Sequence, residues 1–223
     1  MFDVIAFDAD DTLWHNESIF TMTQIKFREM LSSHGPEVVV QTLSSTQIKN
    51  LQHFGYGIKG FILSMIETAI ELTDGAVTGH EIKQVLEFGQ EMIAAPIELL
   101  PHAHEVVEEL SKNYTLLLIT KGDLIDQETK IARSGLADYF TGVEIVSDKT
   151  ADTYTKILKQ HKIDAARFMM IGNSMRSDIV PVVQIGAHAV HVPYLSTWEH
   201  EQDHPPVEPE HYTELEHIGL LTK

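Results

Sequence analysis

The 223-residue chain has no cysteine. Disulfides, thiolate zinc sites and cysteine nucleophiles are therefore excluded, while redox compartment is left open, since any environment tolerates a cysteine-free protein. Basic residues are scarce: 16 Lys plus Arg stand against 33 Asp plus Glu, a formal charge of -17. That balance argues against a general binder of nucleic-acid backbones, and an anionic substrate would have to be drawn by local cations, not by the global field. Long apolar runs are also missing, none approaching the roughly 20 residues that cross a bilayer. The first residues enter a strand-like run with no basic leader or cleavage signal, so the expectation is a cytoplasmic protein without a membrane partner. Thirteen histidines are present but scattered. His102 and His104 lie two apart and cannot share a helical face, and His15, His34, His53 and His80 have no partner at ligand spacing.

The chain is 43% hydrophobic, enough to bury one large domain or a domain with a smaller insert. Two textures alternate along it. From about Ser18 to about Ala95 apolar residues recur at three- and four-residue steps in "SIFTMTQIKFREML", "STQIKNLQHF", "GIKGFILSMIETAIEL" and "TGHEIKQVLEFGQEMI", which reads as all helix. Thr78 followed by Glu81 fits a capping box. From Leu99 onward short apolar runs, "YTLLLIT", "GVEIV", "FMMIG" and "HAVHV", have the near-continuous hydrophobicity of strands buried on both faces. Helical segments separate them: His102 to Lys112, Leu124 to Ser134, Thr150 to Lys159 and Arg176 to Ile185. With an opening strand from Asp3 to Phe7, this predicts five parallel strands in a doubly wound α/β core, residues 1–14 plus 97–223, interrupted by an all-helical insert over 15–96. The tail from Ser196, rich in Pro, Glu and His, reads as a surface excursion returning as a short helix over Tyr212 to Leu221.

Ligands of open α/β sheets sit beyond the carboxyl ends of the strands, near the point where strand order reverses. The first strand presents Asp8, Ala9 and Asp10 there. The second presents Thr120, Lys121, Gly122 and Asp123, the third Ser147, Asp148 and Lys149, and the fourth Gly172, Asn173, Ser174 and then Asp178. Two carboxylates two residues apart, with Asn173 and Asp178 on another strand, form an oxygen-rich nest suited to magnesium, which takes a few protein oxygens and keeps several waters. Thr120 adds a hydroxyl and Lys149 a fixed cation, so an anion between metal and lysine would complete the balance.

These stretches resemble the four motifs of the haloacid dehalogenase superfamily. "FDADDTL" is similar to the first, "LLLIT" with "KGD" to the second, "SDKTADTY" to the third and "MIGNSMRSDIVP" to the fourth, in family order across the whole core. The resemblance implies a Rossmann-like core with a helical cap and a magnesium-dependent phosphatase acting on a small-molecule phosphate ester. In it Asp8 would be the nucleophile that takes the phosphoryl group, and Asp10 the general acid and then base. Asp8, the Asp10 backbone carbonyl, Asn173 and Asp178 would hold Mg2+, while Thr120 and Lys149 would hold the transferring oxygens. Lys121 is a further candidate substrate contact, alongside the reading of it as an exposed loop charge.

One position departs from the pattern: the fourth motif more often has Asp where this chain has Asn173. Either the Asn173 side-chain oxygen binds metal directly, or Asp178 is the main ligand and Asn173 acts through water. A phosphomutase would keep the same core residues, a dehalogenase would need neither Asp10 nor metal, and a binding module with a weakened metal site is the non-enzymatic alternative. Asp11 reads as a turn residue. Asp148 reads either as the cap of the next helix or as a buttress for Lys149, and Trp14 to Glu17 either as hinge packing or as substrate contacts. The glycine-rich "FGYGIKGF" reads either as an inter-helix turn or as a cap loop.

Overall fold

A computed structural model describes residues 2–195, 198–201, 203–205 and 209–222. Two compact units emerge, one of residues 1–17 with 97–223 and one of residues 18–96. The first is a six-stranded, all-parallel sheet in the order β3-β2-β1-β4-β5-β6. Its strands are β1 (Val4–Phe7), β2 (Thr115–Lys121), β3 (Gly142–Val146), β4 (Phe168–Gly172), β5 (His188–His191) and β6 (Tyr212–Glu214). Strand order reverses at β1, which pairs with β2 on one side and β4 on the other.

Side-chain alternation divides the core in two. Ile5 and Phe7 of β1 join Leu116 and Leu118 of β2 in one cluster with Ala103, Val106, Val107, Leu110 and Ile131. Those last five residues come from α5 (Ala103–Ser111) and α6 (Leu124–Ser134). Val4 and Ala6 join Leu117, Ile119, Phe168 and Met170 on the opposite face, under Tyr154, Ile157, Leu158, Val182 and Val183. The helices there are α7 (Ala151–His161) and α8 (Val180–Gln184). The central strands β1, β2 and β4 are thus sealed on both sides, which is why their sequences are continuous apolar runs.

Two elements differ from the sequence reading. The segment expected as a final helix, Tyr212 to Leu221, opens instead as the edge strand β6, pairing Ala189 with Tyr212 and His191 with Glu214, and only Ile218–Leu220 forms a 3-10 turn. A three-residue strand carries too few alternations to be seen as one, and its partner edge decides its conformation. Residues 15–17, expected in the insert, group with the sheet unit, where His15 N–H donates to Glu98 O at 3.0 Å and Leu100 N–H to Leu13 O at 2.9 Å. Residues 196–197, 202 and 206–208 of the expected surface excursion lie outside the described residues.

The second unit, which begins at Ser18, is built from α1 (Glu17–Met30) past its first residue, α2 (Pro36–Phe54), α3 (Ile58–Leu72) and α4 (Gly79–Ala94). Phe27, Leu43, Phe61, Met65, Val85 and Phe88 share its core. The Thr78 and Glu81 capping box is present, with Thr78 Oγ1 accepting from Glu81 N–H at 3.2 Å and Glu81 Oε2 from Thr78 N–H at 2.7 Å. "FGYGIKGF" forms the turn from α2 to α3, with Gly55 and Gly57 at φ of 68° and 108°. Among the described residues no helix is long and apolar enough to cross a membrane.

Candidate active site

The alternation that builds the core also aims the site. Asp8 follows Val4 and Ala6 onto the α7/α8 face. Lys149, just before α7, and Asp178, just before α8, arrive from that same face. Lys149 is buried, 3% exposed, and its Nζ lies 2.5 Å from Asp8 Oδ1 and 2.6 Å from Asp178 Oδ1. Burial works against the lysine charge, but Asp178 and Asp8 outweigh it and raise its pKa. Burial pushes the Asp8 carboxyl up to about 7, with Lys149 offsetting part of the cost and Asp178 adding to it.

Asp178 is fixed by its surroundings. Its Oδ2 accepts from Ser174 N–H at 3.0 Å, and a Cβ built on Gly172 would fall 2.3 Å from its carboxyl group. The turn that carries it, Met175–Ile179, is a π-helical turn, a form found often at functional sites. Tyr154 Oη donates to Ser177 O at 3.0 Å and holds this turn to α7.

Asn173 belongs to the same corner. Thr12 Oγ1 lies 3.2 Å from Asp8 Oδ2 and 3.3 Å from Asn173 Oδ1, and one hydroxyl proton cannot serve both acceptors at once. The Asn173 backbone oxygen lies 3.1 Å from His191 Nε2, whose Nδ1 lies 3.1 Å from Glu214 Oε2.

Thr120 and Asp10 occupy the other side. Thr120 alternates with Leu118 onto the α5/α6 face, where its Oγ1 accepts from Gln127 Nε2 at 2.6 Å, leaving the hydroxyl proton available to donate. The same amide nitrogen lies 3.1 Å from Asp10 Oδ2 and 3.2 Å from Lys121 O. The Lys121 carbonyl can only accept, which sets the amide orientation. Asp10 also receives Trp14 Nε1 at 2.7 Å and Lys130 Nζ at 3.1 Å from each carboxylate oxygen. Lys130 further contacts Asp126 at 3.4 Å and Asn16 Oδ1 at 2.9 Å. Burial lowers the pKa of Lys130, but Asp10 and then Asp126 outweigh it and leave the value raised.

Gln127 and Lys130 escaped the sequence reading. Their only signal is that they stand three apart on α6, which Asp123 caps by accepting from Asp126 N–H at 3.1 Å. Trp14 is 1% exposed and serves Asp10. Asp11, at φ 60°, accepts from Asn16 N–H at 2.8 Å and from Glu17 N–H at 3.0 Å, the role of a turn residue. The cap of α7 is Thr150, not Asp148, which accepts from Lys149 N–H at 2.9 Å. Lys121 is no exposed loop charge: its amine pairs with Glu201 and donates to Ser177 Oγ at 2.8 Å.

The donor set fits magnesium. Among the described residues no three His, Asp or Glu side chains form a ready-made metal cage. Magnesium does not need one, since one or two carboxylates with neutral oxygens and waters suffice. Two buried carboxylates face one lysine here, with the Asn173 oxygen beside them and too few protons to satisfy every acceptor.

A parallel sheet whose order reverses at β1, with carboxylates, a lysine and a threonine at the strand ends around that switch, has the form of an α/β enzyme. The sequence pattern of the haloacid dehalogenase-like hydrolases matches residues 2–186, and the chain belongs to that family. A haloacid dehalogenase-like hydrolase from Xanthomonas campestris is 38% identical, with a TM-score of 0.87 over 97% of this chain and 87% of that one. The chain is also similar to proteins named glyceraldehyde 3-phosphate phosphatase. The one from Pyrococcus abyssi is 26% identical over 207 residues, 87% of this chain and 82% of that protein. The one from Pyrococcus furiosus is 24% identical over 203 residues, 86% and 80%.

Proposed function

We propose that this hydrolase is a magnesium-dependent phosphatase that acts on a small phosphomonoester through an aspartyl phosphate on Asp8. The observation that carries the reading is the buried meeting of Asp8 and Asp178 on Lys149 Nζ, at 2.5 and 2.6 Å. The phosphatases to which the chain is similar support the substrate class, and we assign the inserted helical unit, residues 18–96, as a cap domain.

In this reading the Asp8 carboxylate attacks phosphorus, the P–O ester bond breaks, and Asp10 gives its proton to the departing alkoxide. A water then yields a proton to Asp10 and attacks the same phosphorus, which releases phosphate and restores Asp8. Asp8, the Asp10 carbonyl, Asn173 and Asp178 would hold magnesium, which when bound would supply the positive charge that lets an anionic carboxylate approach an anionic phosphoryl group. Lys149 and the Thr120 hydroxyl donate to the transferring oxygens, each such donor being worth about 3 kcal/mol. Gln127 and Lys130 hold Thr120 and Asp10 in register. Lys121, already engaged by Glu201, is assigned to positioning and not to the substrate.

The test is phosphate release from sugar, triose, nucleotide and organic acid phosphates, with and without magnesium, for the wild type and Asp8→Asn. Release is expected to require magnesium and to fall at least ~1000-fold in the variant. Equal release by the two proteins would remove Asp8 from the chemistry.

A further inference from the structure

The segment after β5 returns to the catalytic end of the sheet and places a carboxylate there that no motif accounts for. Glu201 closes the turn Glu199–Glu201, its N–H donating to Trp198 O at 2.8 Å. Its Oε1 pairs with Lys121 Nζ, at the end of β2. Its Oε2 accepts from Ser174 Oγ at 2.7 Å and from Ser177 Oγ at 2.6 Å, both in the loop after β4. Lys121 Nζ donates to Ser177 Oγ at 2.8 Å, so lysine, serine and glutamate form a closed ring of hydrogen bonds. Arg176 Nη1 donates to His200 O at 3.2 Å and docks the same turn a second time.

The serines that Glu201 holds are the ones that shape the Asp178 turn. Ser174 Oγ accepts from Ser177 N–H at 3.0 Å, Ser174 O from Asp178 N–H at 2.8 Å, and Ser174 N–H donates to Asp178 Oδ2 at 3.0 Å. Each serine therefore spends its hydroxyl proton on Glu201 and its lone pairs on the turn or on Lys121.

We infer that Glu201 is a positioning residue, a carboxylate clamp that ties the end of β2 to the loop after β4 and so fixes Asp178 and Asn173 for the metal. This rests on the reading of Asp178 as a magnesium ligand. Ser174 is one hydrogen bond from Asp178 and Glu201 acts on it through Ser174 and Ser177; groups that orient a metal ligand commonly cost ten- to a hundredfold in affinity when lost, and one acting a step further out falls at the lower end. An expendable surface ion pair would not recruit two buried serines and a strand end.

The experiment is calorimetric titration of magnesium into the full chain, paired with the magnesium dependence of p-nitrophenyl phosphate hydrolysis. Glu201→Gln is expected to weaken magnesium binding about tenfold and to raise the half-saturating magnesium concentration by the same factor. Saturating magnesium should return kcat close to the wild-type value, a split that loss of folded protein would not give. Ser177→Ala, which removes one donor, is expected to move both readouts in the same direction by less, and it carries the test if Glu201→Gln fails to fold. Wild-type magnesium affinity in a folded Glu201→Gln or Ser177→Ala protein would overturn the clamp. Asp178→Asn separates the two ideas: if it too binds magnesium like the wild type, the metal reading fails, and if it alone loses binding, only the clamp does.

Discussion

Gly172 and Asp178 stand so close that a methyl group on Gly172 would lie 2.3 Å from both the Cγ and Oδ2 of Asp178. Only hydrogen at position 172 lets the carboxylate lie flat against the end of β4, and neither oxygen has freedom to move, one being held by Lys149 and the other by Ser174. Gly172→Ala is therefore expected to destabilise the protein by about 2 kcal/mol through overpacking. If Asp178 holds magnesium, the same change should weaken magnesium binding at least ~10-fold. Urea denaturation and calorimetry read the two effects separately. An unchanged magnesium affinity would place the metal away from Asp178.

Lys130 offers a second test because its amine is shared by two carboxylates in a nearly closed environment, its side chain being 11% exposed. Lys130→Met keeps the length and removes the charge, leaving Asp10 to Trp14 and Gln127 and leaving Asp126 without its partner across the turn. Breaking a buried pair from one side costs about 3 kcal/mol. The variant should lose that much in a urea titration and should hydrolyse phosphate esters about 100-fold more slowly, the usual size of an acid–base contribution. A stable variant with wild-type turnover would show that Trp14 and Gln127 hold Asp10 unaided.

These residues also show how far a sequence can be read. Asp8, Thr120, Lys149 and Asp178 were legible because each sits at the end of an apolar run or just before a helix, so period-two alternation and strand order bring them to one end of the sheet. The capping box at Thr78 was legible because its signal is local. Gln127 and Lys130 were not: on α6 they follow the pattern of any solvated helix face, and only the packing of α6 on β2 turns that face toward Asp10. Val38, Val39 and Val40 of α2 form a β-branched run with a strand's local preference that the helical unit overrides, burying Val39 and leaving the other two exposed. β6 and Glu201 lie in a tail without periodicity, where pairing with β5 and the ring of Lys121, Ser174 and Ser177 decide the conformation.

The same ring makes a prediction about acid. Burial disfavours the Glu201 carboxylate, but Lys121, Ser177 and Ser174 outweigh it and hold its pKa down to about 2, against 4.5 for an unconstrained glutamate. Above pH 4.5 the carboxylate is ionised in native and unfolded chains alike, and its interactions stabilise the fold in full. As pH falls from 4.5 towards 2 the unfolded chain takes up a proton that the native protein refuses, so this stabilisation drains away. Glu201→Gln keeps the shape of the side chain and abolishes the titration. The wild type is expected to exceed the variant by about 2 kcal/mol near pH 6, the scale of hydrogen bonds to a charged group. The gap should narrow below pH 4.5. Urea midpoints measured at pH 6, 5, 4 and 3.5 check it: a gap that stays constant through this window would mean that the carboxylate keeps its ordinary pKa in the folded protein and that Lys121 and the two serines hold it only weakly.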